Sequence, residues 1–145
     1  MPRIFKSIHI EAPPQKVFPL AVDPAHQPQW HISLKKVEPV SGDGKSQGSA
    51  FRWTFKMGPR GQQMDATVMD YVENQSYARH CSGDLQIQDR LSFYASQGGT
   101  RVEWSIKYTP PLGYLGVLLD AVLMNRVFQN DMETSLENLK AQAEG

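Results

Sequence analysis

From Leu112 to about Ala143 the chain has no proline, and its apolar residues recur at helical spacing. Residues 34–108, by contrast, break into short alternating runs separated by turn residues. That contrast dictates most of what the chain can fold into. Tyr114, Leu118, Ala121, Asn125, Phe128, Met132, Leu136 and Leu139 share one stripe, which predicts a single C-terminal helix of roughly 30 residues. Such a stripe must be buried against something, and the strands are the only surface large enough.

The strands follow from alternation. Ile4, Ile8 and Ile10 set the phase of a first strand, which Pro13-Pro14 ends. Pro14 suits the first position of a short helix through Val22. Asp23 suits the N-cap of a second, from Pro24 towards Trp30. Leu34–Val40 is the next strand. Phe51, Trp53, Phe55 and Met57 then form one face, followed by Met64, Ala66, Val68 and Val72. Ser76–Cys81, Leu85–Ala95 and Thr100–Tyr108 complete the set, with Gly98-Gly99 as the hairpin between the last two. Tight turns imply antiparallel neighbours. The expectation is an α+β domain spanning residues 1–145: a curved antiparallel sheet of about seven strands around a long C-terminal helix, with two short helices after the first strand.

Composition narrows the function classes. The 145 residues carry 15 basic and 15 acidic side chains, so no net field recruits phosphate backbones and nucleic acid is not an expected partner. One cysteine, Cys81, excludes an intrachain disulfide and fits a reducing compartment. Met1-Pro2-Arg3-Ile4 runs directly into strand without an apolar signal core, and Leu112–Leu123 is too short to span a bilayer. A cytoplasmic protein without an integral membrane segment is the expectation. His9, His26, His31 and His80 lack ligand spacing, so neither metal nor cofactor is expected.

The run Ile8-His9-Ile10-Glu11-Ala12-Pro13-Pro14-Gln15-Lys16-Val17-Phe18, then Asp23-Pro24 and Trp30, resembles the helix-grip superfamily. Gly48-Ser49, Gly98-Gly99-Thr100-Arg101-Val102 and Ser135-Leu136-Glu137-Asn138-Leu139-Lys140 extend the resemblance over essentially the whole chain. This superfamily includes START lipid-transfer domains, birch-pollen-allergen-like proteins and the polyketide cyclase/dehydrase group. The resemblance implies an interior cavity between sheet and helix. It implies a hydrophobic small molecule or lipid as partner, bound and carried without chemistry. An alternative is a cyclase, dehydratase or hydrolase acting on an aromatic or polyketide-like substrate in the same cavity. A protein-interaction module is a third reading, favoured by a filled core.

Candidate site residues are those placed on inward faces. Trp30, Trp53, Phe55, Phe93, Trp104, Tyr108, Leu118 and Phe128 would supply apolar wall. Gly44-Lys45-Ser46 lacks the earlier glycine of a phosphate loop, Pro39 standing there, and reads as a turn. Histidines 26 and 31, flanking Trp30, read as surface residues. Asp89 interrupts the apolar face Leu85, Ile87, Leu91, Phe93, and Arg79 shares a face with Tyr77 and Cys81. Either the two form an interior pair that anchors a polar group, or a bulge lets both reach water. The second asks for less desolvation. Asn125 interrupts the helical stripe and is a candidate for orienting a ligand or bonding a water. Asp89 and Tyr108 are the candidate acid–base groups should the site be catalytic. The outer half of the helix, Leu115, Leu119, Val122, Leu123 and Val127, is apolar enough to suggest a homodimer or transient membrane contact.

Overall fold

The computed structural model describes residues 3–57, 60–83, 85–109 and 117–145, with side chains at 57, 60 and 117–121 outside the description. Seven strands form one antiparallel sheet: β1 (Arg3–Ile10), β2 (Leu34–Ser41), β3 (Ala50–Met57), β4 (Arg60–Val72), β5 (Ser76–Ser82), β6 (Gln86–Ser96) and β7 (Gly99–Thr109). Their order across the curved sheet is β1-β7-β6-β5-β4-β3-β2, so the first strand pairs with the last. Helices α1 (Pro14–Val22) and α2 (Gln27–Trp30) lie between β1 and β2, and α3 (Val117–Glu144) follows β7. No helix among the described residues is long and apolar enough to cross a membrane.

Local chemistry explains the joints. Gln97 and Gly98 both have positive φ, 51° and 80°, as a two-residue hairpin of this twist requires. The turn is therefore Gln97-Gly98, one residue earlier than glycine pairing suggests. Gly99 opens β7, where a Cβ would stand 2.2 Å from the Ile10 carbonyl oxygen. Helix α2 is shorter than its sequence suggests: Pro24–His26 is a turn in which Asp23 Oδ1 accepts from the Ala25 amide. A register shift between Val68 and Asp70 inserts Met69 into β4. The bulge resets the alternation, so Tyr71 takes the inward place and Val72 is exposed.

Two stripes on α3 hold it in place. Phe128, Met132, Leu136, Leu139 and Ala143 are buried in the core. Alongside runs a polar stripe that grips the segment after α1. Gln142 donates to the Gln29 carbonyl (2.8 Å) and Asn138 to the Trp30 carbonyl (3.3 Å). Ser135 Oγ accepts from the Ile32 amide (3.0 Å), and Asp131 accepts from Ser33 Oγ. On the other side, Lys6 of β1 meets Glu133 at 2.6 Å and Lys140 donates to the His9 carbonyl. The helix thus clamps the α2–β2 segment against the sheet and carries Trp30 and His31 into the interior.

Candidate functional site

The concave face of the sheet supplies an aromatic chamber. Trp53 and Phe55 of β3, Trp104 and Tyr108 of β7, and Trp30 of α2 are all at most 2% exposed. His31 sits among them, stacked on Trp30 and edge-on to Trp53, Phe55 and Trp104, with ring centroids 5.0–6.3 Å apart. The surface reading of His31 is overturned. It is 5% exposed, because a one-turn helix followed by an α3-gripped segment turns it inward. Burial, then the positive charges of Arg79 and Lys35, lowers its pKa to about 3, so the imidazole is neutral at ordinary pH. His26 stays half-buried.

Beside the chamber lies a charged centre. Arg79 and Asp89 are paired in register across β5 and β6, so the bulge reading for these two residues fails; the bulge lies between β4 and β5. Their side chains are 2% and 3% exposed. Arg79 Nε donates to Asp89 Oδ1 at 3.1 Å and Nη2 to Oδ2 at 2.5 Å, and Trp104 Nε1 donates to Oδ2 at 3.2 Å. The remaining guanidinium corner donates to Gln27 Oε1 at 2.9 Å, while Gln27 Nε2 donates to the Val22 carbonyl. The guanidinium lies over the rings of Trp53 (4.5 Å) and Tyr77 (5.1 Å). Burial is the largest single influence and disfavours the arginine charge, but the Asp89 carboxylate and its hydrogen bonds, together with Tyr77 and Cys81, outweigh it and raise the arginine pKa. Asp89 thus accepts three hydrogen bonds on its two oxygens, from Arg79 and Trp104.

A void of about 10 Å³ lies between sheet and α3, lined by His31, Ser33, Trp53, Phe55, Ile87 and Asp89 on one side. Trp104, Ile106, Phe128, Asp131 and Met132 complete its wall. This is room for about one water molecule. Burial raises the Asp131 carboxyl pKa, with the Ser33 hydroxyl and Lys35 opposing. Three buried polar atoms of the chamber have no hydrogen-bond partner among the described residues: His31 Nδ1, Trp30 Nε1 and Tyr108 Oη. Tyr108 stacks on Phe128 at 4.6 Å.

The sequence-derived candidates therefore divide. Trp53, Phe55, Asp89, Trp104 and Phe128 converge on the void, with Trp30, Arg79 and Tyr108 against them. Phe93 is core, packed edge-on to Phe18 at 5.1 Å. Asn125 is half-buried and its Oδ1 accepts from Gln129 one turn on (2.6 Å), so it belongs to the helix flank. The Leu115, Leu118 and Leu119 side chains lie outside the described residues; Val122 and Leu123 are each 61% exposed, and Val127 is half-buried. Gln27, His31, Ser33 and Asp131 were missed, and only the helical phase of Asp131 beside Phe128 and Met132 signals its place. Cys81 is buried, and burial followed by the nearby Asp89 charge pushes its thiol pKa far up. The Gly44 and Lys45 amides donate to Ser49 Oγ and Asp43 Oδ1, leaving that loop committed to itself.

A family model described as polyketide cyclase / dehydrase and lipid transport matches residues 1–144. The chain belongs to this family. Solved structures agree in fold. The protein TTHA0849 from Thermus thermophilus superposes with a TM-score of 0.84 at 20% identity, covering 98% of this chain and 97% of that one. The Zhui aromatase/cyclase of a Streptomyces species gives 0.84 at 12%, covering 99% and 93%. A START superfamily protein from Mycobacterium smegmatis gives 0.80 at 14%, covering 98% and 97%. No curated protein matches the chain. At these identities the neighbours share the helix-grip fold with this member of the family, and the family points to hydrophobic-ligand binding or cyclase-type function.

Proposed function

We propose that the protein binds a small, largely apolar molecule carrying one or two hydrogen-bonding groups, between the sheet and α3, and that binding requires no chemistry. The observation that carries this reading is the set of buried polar atoms without a hydrogen-bond partner among the described residues, His31 Nδ1 and Tyr108 Oη above all, around a void walled mostly by apolar side chains. A buried polar atom without a partner costs about 1–3 kcal/mol, and a ligand that supplies the partner recovers it. Apolar burial at roughly 25 cal/mol per Å² supplies the rest of the drive. Because the void holds about one water, any larger occupant shifts the α3 side chains that face it. Met132, unbranched and adaptable, repacks at least cost.

All three tryptophans of the chain lie in this chamber, so intrinsic fluorescence reads its occupancy directly. Native mass spectrometry of the purified protein should find a co-purified small molecule, and its removal should change tryptophan emission reversibly. A protein that carries nothing, and whose emission no apolar probe such as a fatty acid or an aromatic polyketide alters, would sink the proposal.

A second reading, a cyclase- or dehydratase-type reaction, has one observation in its favour. Neutral His31 and the Ser33–Asp131 pair line the same void. In this reading those groups, rather than Asp89, which already accepts three hydrogen bonds, exchange protons with substrate. Turnover abolished by Asp131→Asn with ligand affinity retained would favour it over simple binding.

A further inference from the structure

The face of the sheet turned away from α3 carries a groove of about 340 Å³, within the range of small-molecule sites. Its lining includes Arg3, Lys107, Arg90, His80, Gln88 and Ser105, four of them basic residue types in a chain of zero net charge. The register explains the concentration. Arg3 stands directly opposite Lys107, Lys107 opposite Gln88, and Gln88 opposite His80, in one row across four strands. Ser105 and Arg90 form the neighbouring row. The bulge at Met69 turns that half-exposed side chain into the groove as an apolar wall.

Like charges directly opposite each other on antiparallel strands repel. Four other arginines of the sheet have counter-charges. Arg52, Arg79, Arg90 and Arg101 each have a carboxylate within 3.7 Å, namely Asp65, Asp89, Asp70 and Glu103. Arg3 and Lys107 have none among the described residues. The acids near the groove are committed: Asp70 to Arg90 and Ser76, Glu103 to Arg101. His80 bonds Gln86, and the Arg79 and Asp89 side chains belong to the interior face.

We propose that this groove is a second binding site, independent of the interior chamber, for a freely diffusing small molecule bearing a phosphate monoester. A dianion between Arg3 and Lys107 cancels their repulsion. Arginine offers two parallel donors to adjacent phosphate oxygens, and lysine adds a point charge. Gln88 and Ser105 supply neutral donors beside them, and Met69 supplies an apolar surface for the rest of the molecule.

The test is a nuclear magnetic resonance titration of the full chain with inorganic phosphate, against sodium chloride at matched ionic strength. Saturable amide shifts should concentrate at Arg3, Ala78, Gln88, Ser105 and Lys107, and chloride should not reproduce them. In the Arg3→Gln/Lys107→Gln double variant, both changes being on the exposed face, the phosphate dissociation constant should rise at least tenfold. Arg52→Gln, on an exposed position of β3, should leave it unchanged. Shifts that do not saturate, that chloride matches, or that survive the double substitution would overturn the site. So would co-sedimentation with phosphatidic acid vesicles, lost in the double variant, without saturable binding of free phosphate, since that result assigns the surface to a membrane.

Discussion

Arg79 and Asp89 face each other across β5 and β6 and meet at two points, with the indole of Trp104 as a third donor on the carboxylate. Removing one partner leaves the other charge buried and unpaired, which costs about 3–5 kcal/mol. Asp89→Ala and Arg79→Met should each destabilise the fold on that scale in urea unfolding. The double replacement Arg79→Met/Asp89→Leu should lose less than the two single losses combined, because apolar residues remove both charge-desolvation penalties while Trp104 Nε1 and Gln27 Oε1 are left without these partners. Additive losses in the double variant would show that the two side chains act separately.

His31 makes stability depend on pH in a defined direction. Its folded pKa, about 3, lies below the unfolded value near 6.5, so the unfolded chain takes up a proton that the folded chain refuses. The contribution is complete above about pH 6.5 and is lost as pH falls towards 3, at up to about 1.4 kcal/mol per pH unit. His31→Phe, which keeps an aromatic ring between Trp30 and Trp104, should flatten the stability profile in that window. An unchanged slope would mean the imidazole already protonates in the folded state.

Tyr108 tests the chamber from its other end. Its hydroxyl is buried without a partner among the described residues, while the ring stacks on Phe128. Tyr108→Phe removes an unmet donor and should raise the stability of the empty protein by about 1 kcal/mol. The same change should weaken the co-purified ligand about tenfold, the equivalent of 1.4 kcal/mol. Lower stability with unchanged affinity would place the hydroxyl outside ligand contact.

Much of the fold is legible in the sequence. Strand phases are readable from Trp53 and Phe55, from Leu85 to Phe93, and from Val102 to Tyr108, because alternation survives wherever pairing is regular. The inward place of Tyr71 is not readable, since the bulge at Met69 carries no sequence mark of its own. His31 escapes because a four-residue helix has no periodicity from which to tell inside from outside. The polar stripe of Asp131, Ser135, Asn138 and Gln142 has the spacing of a solvated helix face. Only tertiary structure reveals that it holds the chain at residues 29–33. Arg79 and Asp89 can be assigned to inward faces, but whether they meet depends on register, which the pattern of one strand does not give.

That polar stripe makes its own prediction. Ser135 Oγ and the Asn138 amide each satisfy a backbone group of the segment that carries Trp30 and His31 inward. Ser135→Ala and Asn138→Ala should each cost about 1 kcal/mol. Amide hydrogen exchange should accelerate at Ile32 more than in β6 or β7, which the stripe does not touch. Uniform acceleration would identify a general loss of stability instead of a loosened clamp.

Gln97 offers a gain in stability that touches no functional group. Its φ of 51° places a non-glycine residue in the left-handed region, next to Gly98 at 80°. In a two-residue hairpin of this geometry asparagine or glycine at the first position relieves the strain between Cβ and backbone. Gln97 is exposed, so substitution removes no packing. Gln97→Asn or Gln97→Gly should therefore stabilise the β6–β7 hairpin, by about 0.5–1 kcal/mol for strain of this kind. Because β7 also pairs with β1, the gain should register in global unfolding and not only as local protection. The measurement is the urea midpoint of each variant at constant slope. A midpoint below that of the parent would mean that the Gln97 side chain contributes more than its backbone strain costs.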